Sequence, residues 1–313
     1  MTASPTAQSP AAQSATTPSA ATAPPAAAPC CDADRAAGDS PIGSAPSFDT
    51  FLLLDHRSPW SRTAADDAVR GLLPRAVQHA LAASPRTRAF AVRPVRDRHR
   101  VPLQAPRAGR VGHDPFLATF PGGLDATAIA GLATGATAVD GSMVEDIVIG
   151  VCTNAKRDRC CAVRGRPVAA ALRTTFGQRV TEISHLGGHR FAATMLVLPI
   201  GYSYGQLTPD LADAVVRAAL DGLVHPTGLR GRSDLSPAAQ AADAYWRVAL
   251  GPSAVDAVRI ESETRVDGAV RVTATVQGSR DDVVVRYVAG ARIEETTCGG
   301  KPIQTGRWSV ARA

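Results

Sequence analysis

The sequence predicts an α/β protein, and three observations carry that reading. Short apolar runs at 51–55, 88–93, 146–151, 178–183 and 191–198 have the length of buried strands. Stretches with helical spacing of apolar residues separate the first of these from the second, and the third from the fourth. Beyond a Pro/Gly/Arg-rich stretch at 226–233, the chain turns to alternating patterns behind a single helix.

Taken in order, residues 1–29 hold Ala, Pro, Ser, Thr and Gln and no charged side chain. Such small side chains bury too little apolar area to offset the entropy of ordering, so a disordered tail is expected. An N-terminal α/β segment is expected over 30–145. The run 51–55 is its first strand, and a helical pattern follows over 63–83 through Val69, Leu72, Leu73, Val77 and Leu81. Pro74 falls inside that pattern and should kink or split it. The alternating run 88–93 completes a β-α-β start.

Residues 146–225 repeat this rhythm more clearly. A strand at 146–151 leads to a helix at 166–176, entered through Pro167, a favoured residue in a first helical turn. A strand at 178–183 follows, then a hairpin of 191–198 and 202–207 around Pro199-Ile-Gly201, then a helix at 209–223. The order β-α-β-β-β-α is that of a thioredoxin-like domain. After an expected linker at 226–233, a small α+β appendage is expected over 234–313. It comprises a helix at 237–250, strands at 257–264, 270–276 and 283–288, a turn at Cys298-Gly-Gly300 and a last strand at 307–310.

Composition narrows the function. Apolar residues make up 45% and charged residues 20% of the 313, as in an ordinary globular protein. The 34 basic and 28 acidic residues leave a formal charge of +6, too weak a bias to imply nucleic acid. No run approaches the roughly 18–20 apolar residues that span a bilayer. The N-terminus lacks the basic region and unbroken apolar core of a signal peptide, so a reducing cytoplasm is the expected location. Six cysteines are too few for a disulfide scaffold.

The chemistry concentrates in two motifs. The first reads Cys152-Thr-Asn-Ala-Lys-Arg-Asp-Arg-Cys160-Cys161, and the second reads Ser184-His185-Leu-Gly-Gly-His189. Thiolate and imidazole are the best protein ligands for zinc or iron. Cys152 ends an apolar strand, where a ligand is rigid yet reachable. Lys156, Arg157 and Arg159 favour thiolate over thiol, and Gly187-Gly188 lets the backbone turn tightly beside a metal. These residues fit a [2Fe–2S] cluster, a structural zinc ion or a thiol redox site, and adjacent Cys160 and Cys161 compete for one role. A thiol–disulfide role for Cys160-Cys161 or Cys30-Cys31 is the weaker reading, because vicinal disulfides are strained and no C-x-x-C occurs.

From Cys152 to Leu207 the chain closely resembles the sucrase/ferredoxin-like family of thioredoxin-like proteins. The match lies in the Cys motif continued to Pro167, in Ser184-His-Leu-Gly-Gly-His-Arg-Phe-Ala192, and in Leu198-Pro-Ile-Gly-Tyr-Ser-Tyr-Gly205. It extends more weakly from Cys30 towards the C-terminus. The resemblance implies a [2Fe–2S] cluster with two Cys and two His ligands, eight residues between the former and three between the latter. Position by position these are Cys152, Cys161, His185 and His189. A soluble electron carrier is then expected, rather than a catalyst with its own substrate. A zinc-stabilised binding protein and a thiol oxidoreductase are the alternatives.

Residues outside the motifs have plainer readings. Cys298 reads as a packed or turn thiol, and His56, His79, His99, His113 and His225 as surface or hydrogen-bonded residues. Eight arginines against Asp97 over 86–110 read as a solvated face, or as a docking face for an acidic redox partner. No phosphate loop, Ser-His-Asp set or glycosidase carboxylate pair stands out, so the word "sucrase" gains no support.

Overall fold

The computed structural model describes residues 1, 29–95, 104–135, 141–295 and 302–313, and within them the side chains of all but 291–295 and 302–304. The tail expected at 1–29 lies outside them apart from Met1 and Pro29. So do His99, part of the arginine run, and the expected turn at Cys298.

The first half opens with helix α1 (Cys30–Ala36) and strand β1 (Thr50–Asp55), followed by helices α2 (Ala64–Leu72) and α3 (Arg75–Ala82). Pro74 ends one of these helices and sits at the N-cap of the next, the expected split. Strand β2 (Thr87–Pro94) returns parallel to β1. Strands β3 (Arg107–Arg110) and β4 (Phe116–Thr119), helix α4 (Ala126–Thr134) and strand β5 (Ser142–Met143) complete this half.

The second half follows with β6 (Val148–Cys152), α5 (Arg159–Phe176), β7 (Val180–Ile183), β8 (Met195–Leu198), β9 (Tyr202–Tyr204), α6 (Pro209–Leu220), β10 (Leu223–Val224) and β11 (Leu229–Arg232). A 3₁₀ turn at His189–Phe191 precedes β8. Helix α6 starts as its residues dictate: Thr208 Oγ1 accepts from Leu211 N at 3.2 Å, and Pro209 takes the first helical position.

All of these strands but β10 form one mixed, ten-stranded sheet in the order β11-β9-β8-β6-β7-β2-β1-β3-β4-β5. Read outward from the β7·β2 seam, the two halves have the same topology. β6 is parallel to β7 as β1 is to β2, and β8, β9 and β11 repeat the antiparallel pairings of β3, β4 and β5. One face of the first half packs Leu52, Leu54 and Ala91 against α2, α3 and α4. The corresponding face of the second packs Ile149, Val151 and Val197 against α5 and α6. The remaining faces share one core of Phe51, Leu53, Phe90, Val148, Ile183, Leu196 and Leu198, which also contains Cys152 and Cys161.

Two expectations need correction. The helix expected to start near Pro167 begins at Arg159, so Pro167 lies in its interior despite the lost backbone hydrogen bond. Packing decides this: Cys160, Cys161, Ala162 and Gly165 are buried in the first turns. Residues 226–233, expected as a linker, instead hold β11, the edge strand beside β9. The two arginines of β11 are buried and partnered. Arg232 pairs with Asp234 at 2.7 Å, and Arg230 Nε donates to Ser44 Oγ at 3.1 Å.

Helix α7 (Pro237–Leu250) begins at a Ser236 cap and matches its expected span. A short β12 (Ser253–Ala254) pairs with β10. Strands β13 (Val258–Val266), β14 (Ala269–Val276), β15 (Ser279–Glu295) and β16 (Pro302–Arg312) form an antiparallel meander. Val258, Val272, Ala274, Val283 and Val285 project onto Ala238, Ala241, Ala242 and Trp246 of α7. On its other side α7 meets the large sheet. Arg247 Nε donates to Tyr202 Oη and to Asp243 Oδ1, both at 3.0 Å and all buried.

Candidate metal centre

β6 is buried along its whole length and delivers Cys152 at its C-terminal end. The strand end is fixed by Cys152 N donating to Thr194 O at 3.0 Å. The chain then turns through Thr153–Asp158 into α5, whose first turn carries Cys160 and Cys161. Gly165, one turn further on, lies against the backbone of Cys152, where an added Cβ would be 2.1 Å from the Cys152 carbonyl oxygen. Only glycine lets helix and strand approach closely enough for the two thiols to face each other.

The third participant arrives after β7. Ser184 N is held by Ala91 O at 2.8 Å, and His185 follows. His185 Nδ1 lies 3.6 Å from Cys161 Sγ, and the ligand atoms of Cys152, Cys161 and His185 all lie within 4.8 Å of one another. Beyond them Gly187 and Gly188 take φ of +80° and +67°. At Gly188 an added Cβ would also stand 2.5 Å from the Arg230 guanidinium, so the turn needs glycine for space as well as for conformation.

Asp158, hidden in the motif between two arginines, is the residue that sequence reading missed. It occupies the N-cap position of α5 but makes no side-chain cap hydrogen bond. Its buried carboxylate turns inward instead. Oδ2 lies 3.3 Å from His185 Nε2, and Oδ1 lies 3.9 Å from His189 Nδ1. With Nε2 facing a carboxylate, His185 presents Nδ1 to the thiols, the arrangement that orients and strengthens a metal-ligating imidazole. His189 is buried beside it, and its Nε2 has no hydrogen-bond partner among the described residues. A buried orphan nitrogen of this kind is satisfied when a metal takes its lone pair. His189 stands outside the three-residue cluster but shares the carboxylate that orients it.

The electrostatics favour anionic sulfur. A hydrogen bond from Cys161 holds Cys152 well below the ordinary thiol value against the opposing effect of burial, helped by His185 and Asn154; donating that bond leaves Cys161 well above it. Cys161 lies in the first turn of the 18-residue α5, at that helix's positive end. Arg230 is buried close by and Arg88 half-buried. Arg88 Nη2 donates to His185 O at 3.1 Å, and Arg230 Nη1 donates to Gly187 O at 3.2 Å. Burial draws Arg230 down to about 10, which leaves it cationic at neutral pH. Neither had a signal in sequence, because Arg88 stood in a run that read as a solvated face.

Cys160, one position before Cys161, points elsewhere, with its Sγ 3.3 Å from Cys30 Sγ. The scattered histidines have plain surroundings. His56 stacks on Trp60 with centroids 5.7 Å apart, and His225 Nδ1 accepts from Thr227 N at 3.2 Å. The first half has its own counterpart to the site, and it is a different one. Asp55 ends β1 opposite Val92 as Cys152 ends β6 opposite Ile183. It is clamped by Arg57 at 2.8 Å rather than offered to a metal.

Fold and site together define an α/β protein in which two buried cysteines and a half-buried histidine could hold a metal ion. The chain belongs to the sucrase/ferredoxin-like family, whose model matches residues 41–231. No curated protein and no solved structure matches it. No helix among the described residues is long and apolar enough to cross a membrane.

Gly165→Ala tests the close approach of α5 to β6. Helix propensity alone favours alanine by about 1 kcal/mol. The contact with the Cys152 carbonyl reverses the sign, since overpacking typically costs about 1–3 kcal/mol. The variant should unfold at lower urea and lose bound metal; unchanged or raised stability would show that the helix is not held there.

Proposed function

We propose that the protein is an electron carrier holding a [2Fe–2S] cluster on Cys152, Cys161, His185 and His189 within a thioredoxin-like unit. The convergence of Cys152, Cys161 and His185 carries the reading, and family membership supports it. The strand order β7-β6-β8-β9, with β6 and β7 parallel, supports the thioredoxin-like assignment. When bound, such a cluster takes up and releases electrons at a potential that its surroundings set.

The residues of this chain do the tuning. Two thiolates and two neutral imidazoles carry less negative charge than four thiolates, and the half-buried Arg88 and the buried Arg230 add positive charge. The potential therefore lies above the roughly −400 mV of plant-type ferredoxins. Were the cluster bound, its reduction would be linked to proton uptake at the ring nitrogens of His185 and His189, both of which face Asp158. The potential should then fall as pH rises from neutral to alkaline, by at most about 59 mV per pH unit for one electron and one proton. His189→Cys should lower the potential and flatten the slope. Protein-film voltammetry reads both, and a wild-type potential constant over that range contradicts histidine ligation.

His185, with its side chain 20% exposed, is the ligand that reaches solvent. It opens on a cleft of about 230 Å³ whose walls include Arg62, Arg88 and Arg157 against Asp66. Lys156, Arg159 and Arg166 are exposed nearby. This charge suits an acidic redox partner. Transfer rates to such a partner should fall as salt rises, because exposed charges lose reach beyond a Debye length of about 8 Å at physiological ionic strength. A rate that is flat from low to high salt would leave these residues as solubilising charge.

A further inference from the structure

Three of the cysteines that are not ligands form a second thiol cluster. Cys30 and Cys31 open α1, and Cys160 lies in the first turn of α5, with Ala192 packed against them. The Cys30 and Cys160 sulfurs are 3.3 Å apart although 130 positions separate them in the chain. Cys160 and Cys31 are fully buried, while Cys30 is half-buried and meets solvent. Around them α1 is fastened down. Asp32 pairs with Arg164 of α5 at 2.5 Å. Arg190, next to His189, pairs with Asp39 at 3.3 Å and lies 3.8 Å from Asp34.

We propose that Cys30 and Cys160 are a reversible dithiol–disulfide pair, oxidised by low-molecular-weight disulfides, that locks α1 onto α5 beside the metal centre. The half-exposed Cys30 sulfur attacks one sulfur of the small disulfide. That S–S bond breaks, the first small thiol leaves with a proton, and a mixed disulfide remains on Cys30. Cys160 then attacks the Cys30 sulfur and releases the second small thiol. Two protein thiols are oxidised, one small disulfide is reduced to two thiols, and two electrons pass between them. The sulfurs need to close by only about 1.3 Å to reach the disulfide length of about 2.05 Å. Cys31 also meets Cys160, and that contact together with burial pushes its thiol up; its Sγ donates to Asp32 Oδ1 at 3.8 Å. Being buried, it cannot meet the small disulfide as Cys30 does, and pairing with Cys30 would form a strained vicinal ring. The pairing does not depend on which metal the neighbouring site holds, since neither Cys30 nor Cys160 is among its ligands.

The test uses the full-length, metal-loaded protein incubated with oxidised glutathione, then alkylated, digested and mapped by mass spectrometry. A Cys30–Cys160 cross-linked peptide is expected in most molecules, reversed by dithiothreitol, with Cys152 and Cys161 still unpaired. In Cys160→Ser the reaction should stop halfway, leaving glutathione on Cys30. In Cys30→Ser, a change at a half-exposed position, the cross-link should vanish. Cys30 remaining free in most molecules would overturn the proposal, as would a disulfide forming between Cys152 and Cys161 instead.

Discussion

Cys161→Ser, or Cys152→Ser, is expected to strip the protein of its metal, whereas Cys160→Ser keeps most of it. The two adjacent thiols of α5 project about a third of a helical turn apart, and the structure sorts them to different neighbours. Cys161 faces Cys152 and His185, while Cys160 faces Cys30. Removing an outer residue that only orients a ligand already costs about 10–100-fold in metal affinity, so losing a thiolate ligand should cost more than that. Iron content and visible absorption of the three variants, purified without air, read the result. Full iron in Cys161→Ser and none in Cys160→Ser would mean that the helix is turned the other way.

A second large effect is expected at a buried ion pair. Arg93 of β2 and Glu182 of β7 stand opposite each other across the seam between the two halves of the sheet. Their charges meet at 2.6 Å with side chains 2% and 11% exposed. Thr153 Oγ1 donates to the same carboxylate at 2.9 Å, and Trp60 Nε1 donates to Thr153 Oγ1 at 3.0 Å. The Arg93 guanidinium also lies 3.9 Å from the centroid of the Trp60 ring. Glu182→Leu leaves this cation buried without its partner, which costs about 3–5 kcal/mol. The urea midpoint should fall accordingly, and Arg93→Met added to Glu182→Leu should recover a large part of the loss, since a pair replaced by apolar groups is often near neutral. A single variant within about 0.5 kcal/mol of wild type would show that the seam does not depend on this pair.

The sequence made some of this legible and concealed the rest for physical reasons. Strands of the second half and helix α7 declared themselves through apolar runs and through the Ser236-Pro237 start. Pro74 marked its break because proline acts locally. The start of α5 was hidden. Arg157 to Arg166 carries cations, two cysteines and a glycine, and only contact with the end of β6 makes those residues helical. Strand β11 reads as a linker because Leu229-Arg-Gly-Arg232 is half arginine, and its partners, Ser44 and Asp234, are unknowable from local pattern. The two motifs brought the cysteines and histidines to notice, and the family resemblance chose Cys152, Cys161, His185 and His189 among them, but neither pointed to the carboxylate that orients the imidazoles. Asp158 looked like one more charge in a charged loop. The repeat of topology in the two halves was visible only as a rhythm, because Asp55 stands where its counterpart carries Cys152.

In the proposed function, Cys152, Cys161, His185 and His189 hold a [2Fe–2S] cluster. Iron and acid-labile sulfide, measured per chain on protein purified anaerobically, test it most directly. The account predicts two irons and two sulfides with red-brown visible absorption; a colourless protein holding a single zinc would contradict it.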